Sequence, residues 1–108
     1  MNAHAERVFD ALGDPTRRAV FTRLRRGPRS VGEIAQGMDV SRSAVSQHLK
    51  VLKAARLVTD RAEGTRRLYA VDERGIEQLR DWLDGFWDET LAAFKKAVER
   101  EAAKETKR

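Results

Sequence analysis

The sequence predicts a mainly α-helical chain of about five helices with one small β-hairpin. Three observations predict it. Over most of the chain the apolar residues recur every three or four positions, the spacing of amphipathic helices. Leu57 to Ala62 and Thr65 to Val71 are instead extended runs set around Glu63-Gly64. In them Val58, Thr59, Tyr69 and Val71 suit strands, and the glycine suits a tight turn. Just before the hairpin, two short helical segments are separated by a few residues around Asp39-Val40, which makes a helix-turn-helix. A helix-turn-helix followed by a basic hairpin is a winged helix-turn-helix. At 108 residues the chain fits one domain, 1–108, whose N- and C-terminal helices remain for dimerisation.

Each element has a local cause. The first helix is expected near Ala3 to Leu12, with Val8, Phe9 and Leu12 apolar and Gly13 at the C′ position. Asp14-Pro15 starts the second as N-cap and first helical residue. Val20, Phe21 and Leu24 form its buried side, and Gly27-Pro28 ends it. Ser30-Val31-Gly32-Glu33 fits a capping box, followed by a short apolar face of Ile34, Ala35 and Met38. Ser41 caps the next helix. The last helix starts near Glu73 behind Asp72, and its charged tail from Glu99 to Arg108 is expected to fray.

The helix after Ser41 carries the functional signal. Val45, Leu49 and Leu52 recur at i, i+4 and i+7 and form a narrow apolar stripe. Ser43, Ser46, Gln47 and Lys50 lie on the opposite side, which offers hydroxyls, one amide and one cation, and no carboxylate. An acid would repel phosphate, whereas a helix entering a major groove needs hydrogen-bonding tips and positive charge. An ordinary solvated helix face is the plain alternative, but such faces carry Glu as freely as Lys. The reading is a DNA-recognition helix. Arg42 and Ser43 reach phosphate or base edges, Ser46 serves either base type, and Gln47 can make a bidentate contact to adenine. Lys50 and Lys53 lie further along, toward phosphate. In the hairpin Arg61, Arg66 and Arg67 cluster near Gly64, where Arg can enter a narrow minor groove. Arg67 has a second option, a pair with Asp60 across the hairpin. Arg17 and Arg18 either clamp the DNA backbone or are solvated. His48, between the two faces, either donates to phosphate or packs with a polar edge, and packing is favoured.

These pieces together resemble the ArsR-type winged-helix transcriptional repressors. The resemblance rests on Phe9-Asp10-Ala11-Leu12-Gly13-Asp14-Pro15-Thr16-Arg17-Arg18, on Val31-Gly32-Glu33-Ile34-Ala35, on the serine-rich helix ending His48-Leu49-Lys50-Val51-Leu52, and on Gly64-Thr65-Arg66-Arg67-Leu68-Tyr69. It runs from about Glu6 to the last helix. It implies a small homodimer that binds operators and represses transcription, and in many members releases DNA when a metal ion or other effector binds.

The last helix supports the dimer on its own terms. Ile76, Leu79, Leu83, Phe86, Trp87, Leu91, Phe94 and Val98 form one stripe about six turns long, roughly 33 Å at about 1.5 Å per residue. A three-helix core is too small to cover it. Ile76 and Leu79 are expected to pack on their own domain. Leu83, Phe86, Trp87, Leu91 and Phe94 are expected to meet a second copy, joined, as in the family, by Val8 and Leu12 of the first helix. Gly85 interrupts the polar side and marks either a kink or a close approach of backbones.

Charge and composition narrow the function classes. Met1 to Val71 holds 14 Lys and Arg against 7 Asp and Glu, and the rest holds 8 against 10. The positive charge therefore sits with the helix-turn-helix and the hairpin, where a phosphate backbone would want it. There is no cysteine, hence no disulfide and no thiolate ligand. His4 and His48 are the two histidines, and none lies on the last helix, where the family's other common metal site uses Asp and His. Asp81, Asp84 and Asp88 alone would make a weak hard-cation site. No metal and no cofactor is expected, and an effector is not named by the residues. No constellation for nucleophilic or metal chemistry exists, so the chain does not read as an enzyme. It lacks a signal peptide and any apolar run of about 18 residues, which points to the cytoplasm and away from membranes. The alternative from another class is a winged-helix module that binds protein. Such a module would carry an apolar or acidic outer face on the recognition helix.

Overall fold

The computed structural model describes residues 2–106. The elements run α1 (Ala3–Gly13), α2 (Pro15–Thr22), α3 (Val31–Ala35), α4 (Arg42–Ala54), β1 (Val58–Glu63), β2 (Arg66–Val71) and α5 (Glu73–Thr106). This is a winged helix-turn-helix, with α3 and α4 as the helix pair and the antiparallel β1–β2 hairpin as the wing. The caps expected from sequence are in place. Asp14 accepts from the Arg17 N–H at 3.0 Å with Pro15 opening α2. Ser30 and Glu33 form the reciprocal capping box. Ser41 accepts from Ala44 N–H at 3.0 Å.

The core lies between α1, α2, α4 and the base of the wing. Val8, Val20, Leu24, Ile34, Val45, Leu49, Leu52, Leu57 and Val58 are sealed in it. Each such side chain contributes about 1.5–3 kcal/mol by leaving water, so the apolar stripe of α4 alone fixes which face of that helix is left outside. Ile76 and Leu79 pack against this core from α5, as expected. In the wing Val58 pairs with Val71 and Glu63 with Arg66, leaving Gly64-Thr65 as a two-residue loop. Gly64 has φ 62, and glycine at the first loop position is what a type II′ hairpin turn asks for. A single bridge, Arg29 to Tyr69, ties the α2–α3 turn to the outer edge of β2.

Three expectations change. α2 ends at Thr22 and gives way to turns, short of the expected end at Gly27-Pro28. Gly13 is the last residue of α1 rather than a left-handed C′ residue, because Asp14 follows in extended conformation and caps α2 directly. The segment expected to fray stays helical through Thr106. Its Ala, Glu, Lys and Arg residues are strong helix formers, and propensity outweighs proximity to the chain end. Lys107 and Arg108 of that segment lie outside the described residues. No helix among the described residues is long and apolar enough to cross a membrane.

Candidate nucleic-acid interface

The α4 stripe of Val45, Leu49 and Leu52 turns the opposite face outward. Ser43, Gln47 and Lys50 are exposed there and Ser46 is half-buried. No acidic residue occupies the first turn of α4. Arg42 lies exposed at that first turn, its guanidinium folded over Gly32 of α3. A Cβ at Gly32 would stand 3.2 Å from the guanidinium carbon, so the glycine makes room for the arginine.

The wing arginines and Lys53 are exposed but not unattached. Asp60 accepts from Lys53 Nζ at 2.7 Å through one oxygen and from Arg67 Nη1 at 2.8 Å through the other. With its side chain 9 % exposed, Asp60 anchors two outward cations. The Lys53 hydrogen bond, then that of Arg67, hold its carboxyl below the ordinary value against the opposing effect of burial. Arg66 leans 3.4 Å from Glu33 of α3, and Arg61 sits 3.5 Å from Glu63. Glu33 is also held low, chiefly by the Ser30 backbone N–H. Of the two options for Arg67, the pair with Asp60 is therefore present.

Other polar residues go where the sequence did not point. Arg17 donates to the carbonyls of Ala11 at 2.6 Å and Asp10 at 3.3 Å, and Arg18 to that of Leu12 at 2.8 Å. Both donate to the orphan carbonyls at the end of α1, Arg17 half-buried and Arg18 exposed. His48 is half-buried and close enough to Asp14 to help hold that carboxyl low, behind the larger effect of the Arg17 backbone N–H. His4 Nε2 lies 2.9 Å from the Gly75 carbonyl oxygen and joins α1 to α5. Among the described residues no group of three or more His, Asp or Glu could hold a metal ion.

The terminal helices carry an apolar surface. Phe86, Trp87, Leu91 and Phe94 are 46, 55, 60 and 67 % exposed, and Val98 is exposed beyond them. Leu83 and Leu12 are half-buried. Val8, read from sequence as part of this surface, is instead 0 % exposed inside the chain's own core, because it faces α2 and α4 rather than outward. Phe9, one residue on, takes the outward position. Its ring meets Trp82 edge-on at 5.9 Å, and Trp82 stacks on Phe86 at 5.6 Å. Sequence reasoning missed Trp82, which stands beside Leu83 at the border of the stripe. It also missed Gly75, and the signal for Gly75 was a glycine in the first turn of a helix with no turn to make.

A family model described as a helix-turn-helix domain matches residues 12–61. The chain is 52 % identical over 96 residues to the HTH-type transcriptional regulator Rv2034 of Mycobacterium tuberculosis, covering 89 % of this chain and 90 % of that protein. It is similar to the structure of an ArsR-like transcriptional regulator from Rhodococcus sp. RHA1, with TM-score 0.71 and 32 % identity over 87 % of this chain and 92 % of that one. It is also similar to the solution structure of a homodimeric winged helix-turn-helix DNA-binding domain from Mycobacterium bovis, a possible ArsR-family regulator. The TM-score there is 0.64 and the identity 31 %, covering 82 % of each chain. With the helix-turn-helix, wing and caps in place, the chain belongs to the ArsR-type helix-turn-helix transcriptional regulators.

Proposed function

We propose that this chain is a homodimeric repressor that binds an inverted-repeat operator, with α4 of each protomer in the major groove and the wing against the adjacent backbone or minor groove. The observation that carries this reading is the outer face of α4: Ser43, Gln47 and Lys50 exposed, with no acid in the first turn. The apolar surface of Phe86, Trp87, Leu91 and Phe94 supports the dimer, since a contiguous apolar patch of that kind marks an interface. The homodimeric relative adds support from similarity. Within the interface Arg42, Ser43, Ser46 and Gln47 face bases or nearby phosphates. Lys50, Lys53, Arg61, Arg66 and Arg67 supply charge to the backbone, Lys53 and Arg67 as a pair oriented by Asp60. Two-fold symmetry of the protein makes the operator palindromic, with half-site centres about 34–36 Å apart or a multiple of that.

Selection of duplexes from a random-sequence pool, followed by footprinting and sedimentation of the complex, tests this. Enrichment of an inverted repeat carrying two chains per duplex is expected. Failure to enrich any sequence would sink the reading and favour a protein-binding module.

A further inference from the structure

The turn between α2 and α3 forms a second basic surface that neither the recognition helix nor the wing accounts for. Arg23, Arg25, Arg26 and Arg29 line a groove of about 540 Å³ whose other side is Glu33 of α3 and Gln36 just after it. Two of these arginines serve the fold. Arg23 Nη1 donates to the Gln36 carbonyl at 2.6 Å, and Arg29 Nε to the Arg23 carbonyl at 3.0 Å. The side chains of Arg25 and Arg26 are exposed and have no partner among the described residues. Glu33, the one carboxylate lining the groove, already accepts from Ser30 N–H at 3.0 Å and Arg66 at 3.4 Å. Four guanidinium groups within seven residues repel one another in the folded chain. Glu33 and the two carbonyls answer Arg23 and Arg29 but not Arg25 and Arg26, so that pair suits an external anion.

The position of the groove says which anion. Glu33 and Gln36 also line a neighbouring groove of about 880 Å³, bounded on its far side by Arg42, Arg66 and Arg67. The two grooves are thus adjacent along α3 and form one basic band running from the wing to the α2–α3 turn. The bridge between Arg29 and Tyr69, with N–O distances of 2.9 and 2.8 Å, fixes the turn to β2. The turn that carries Arg25 and Arg26 is thereby held beside the wing. A guanidinium offers a forked pair of donors that matches phosphate oxygens.

We propose that Arg25 and Arg26 bind phosphates of the same DNA duplex, next to those met by the wing, and extend each protomer's footprint across the α2–α3 turn. This rests on the DNA-binding reading above. It makes the two arginines contributors to affinity for any sequence, with no part in reading bases.

The test is an anisotropy titration of the full chain with a fluorescent duplex selected as above and a scrambled duplex, at salt from about 0.05 to 0.5 M. The wild type is compared with R25A/R26A, R25Q/R26Q, R25K/R26K and Q47A. Each phosphate contact contributes about 0.9 to the slope of log affinity against log salt. Four contacts per dimer are lost in R25A/R26A and in R25Q/R26Q, so both should flatten the slope by about 3–4 units. Both duplexes should weaken alike, and R25K/R26K should keep most of the slope. Q47A should do the reverse, relaxing base preference with the slope unchanged. The glutamine pair keeps length and polarity, so it stands in if the alanine pair folds poorly. A wild-type slope in either charge-removing pair overturns this proposal while leaving α4 as the reading element. A wild type that binds neither duplex overturns both.

Discussion

Gln47 and Lys50 sit one turn apart on the same face of α4, and their chemistry gives them different tasks. The Gln47 amide offers a donor and an acceptor in one plane, which matches the adenine edge and fixes direction. Gln47→Ala should cost about 1–3 kcal/mol on the selected operator and relax preference at one base position, read from competition with single-base variants. Lys50 carries a point charge. Lys50→Ala should weaken all sequences alike and flatten the salt slope by about one unit per contact. An alanine at 47 that left the base profile intact would remove Gln47 from the reading face. Asp60 makes a different case, because its carboxyl is held low by Lys53 and then by Arg67. A carboxyl whose folded value lies below its unfolded value, near 4, stabilises the fold above that value. The contribution is lost as pH falls through the lower, folded value. Asp60→Asn should therefore flatten the acid limb of stability below about pH 4, measured as the urea midpoint against pH. Parallel limbs in the two proteins would show that the clamp does not contribute. The outer face of α4 was legible from period alone, since Val45, Leu49 and Leu52 dictate what is left outside. The Asp60 clamp was legible only in its Arg67 half. Joining Lys53 to it takes the packing of the end of α4 over β1, which no local pattern carries.

Two glycines of α5 look alike as letters and differ in surroundings. Gly75 is buried where the start of α5 crosses the turn after α4, and a Cβ there would fall within the radius of the Arg56 carbonyl oxygen. Arg56 itself takes a left-handed conformation, φ 59, to make that turn, and Asp72 caps the new helix by accepting from the Gly75 N–H at 3.2 Å. The Gly75 carbonyl then receives His4 of α1. One residue thus brings together the turn after α4 and the two terminal helices. Gly85 has nothing within 4 Å of its missing Cβ. Gly75→Ala should destabilise by about 1–3 kcal/mol through overpacking, and Gly85→Ala should stabilise by up to about 1 kcal/mol through helix propensity. Urea unfolding of both decides it; equal effects would mean that the crossing can spread at no cost. The sequence drew attention to Gly85 and not to Gly75 because a helical wheel registers a gap in a face, while a backbone crossing is a contact between residues 19 apart. The short-range devices, namely the Asp14, Ser30 and Ser41 caps and the Gly64 turn, were legible because each is complete within about four residues.

At the scale of the whole molecule, α5 governs the shape. Its 34 residues span about 51 Å, and the molecule measures 75 × 27 × 23 Å, so the far half of this helix projects beyond the body. That half carries Leu91, Phe94 and Val98 in water. The same stripe seals the body at Ile76 and Leu79, and it continues outward with larger side chains where the chain has no core left to fill. In the proposed dimer a second copy supplies one, and the aromatic group of Phe9, Trp82 and Phe86 lies where α1 adjoins the stripe. Leu91→Asp and Phe94→Asp place a charge in the proposed contact but in none of the monomer's own packing, since both side chains are exposed in the single chain. A buried charge without a partner costs several kcal/mol, enough to separate protomers. Each variant should therefore keep its helical circular dichroism and sediment as a monomer at about 10 µM. Losing the link between two half-sites removes the effective-concentration advantage, and operator affinity should drop by about 10²–10⁴-fold. A wild type that sediments as a monomer, or an aspartate variant that remains dimeric with full affinity, would reassign this surface and leave α5 without a partner of its own kind.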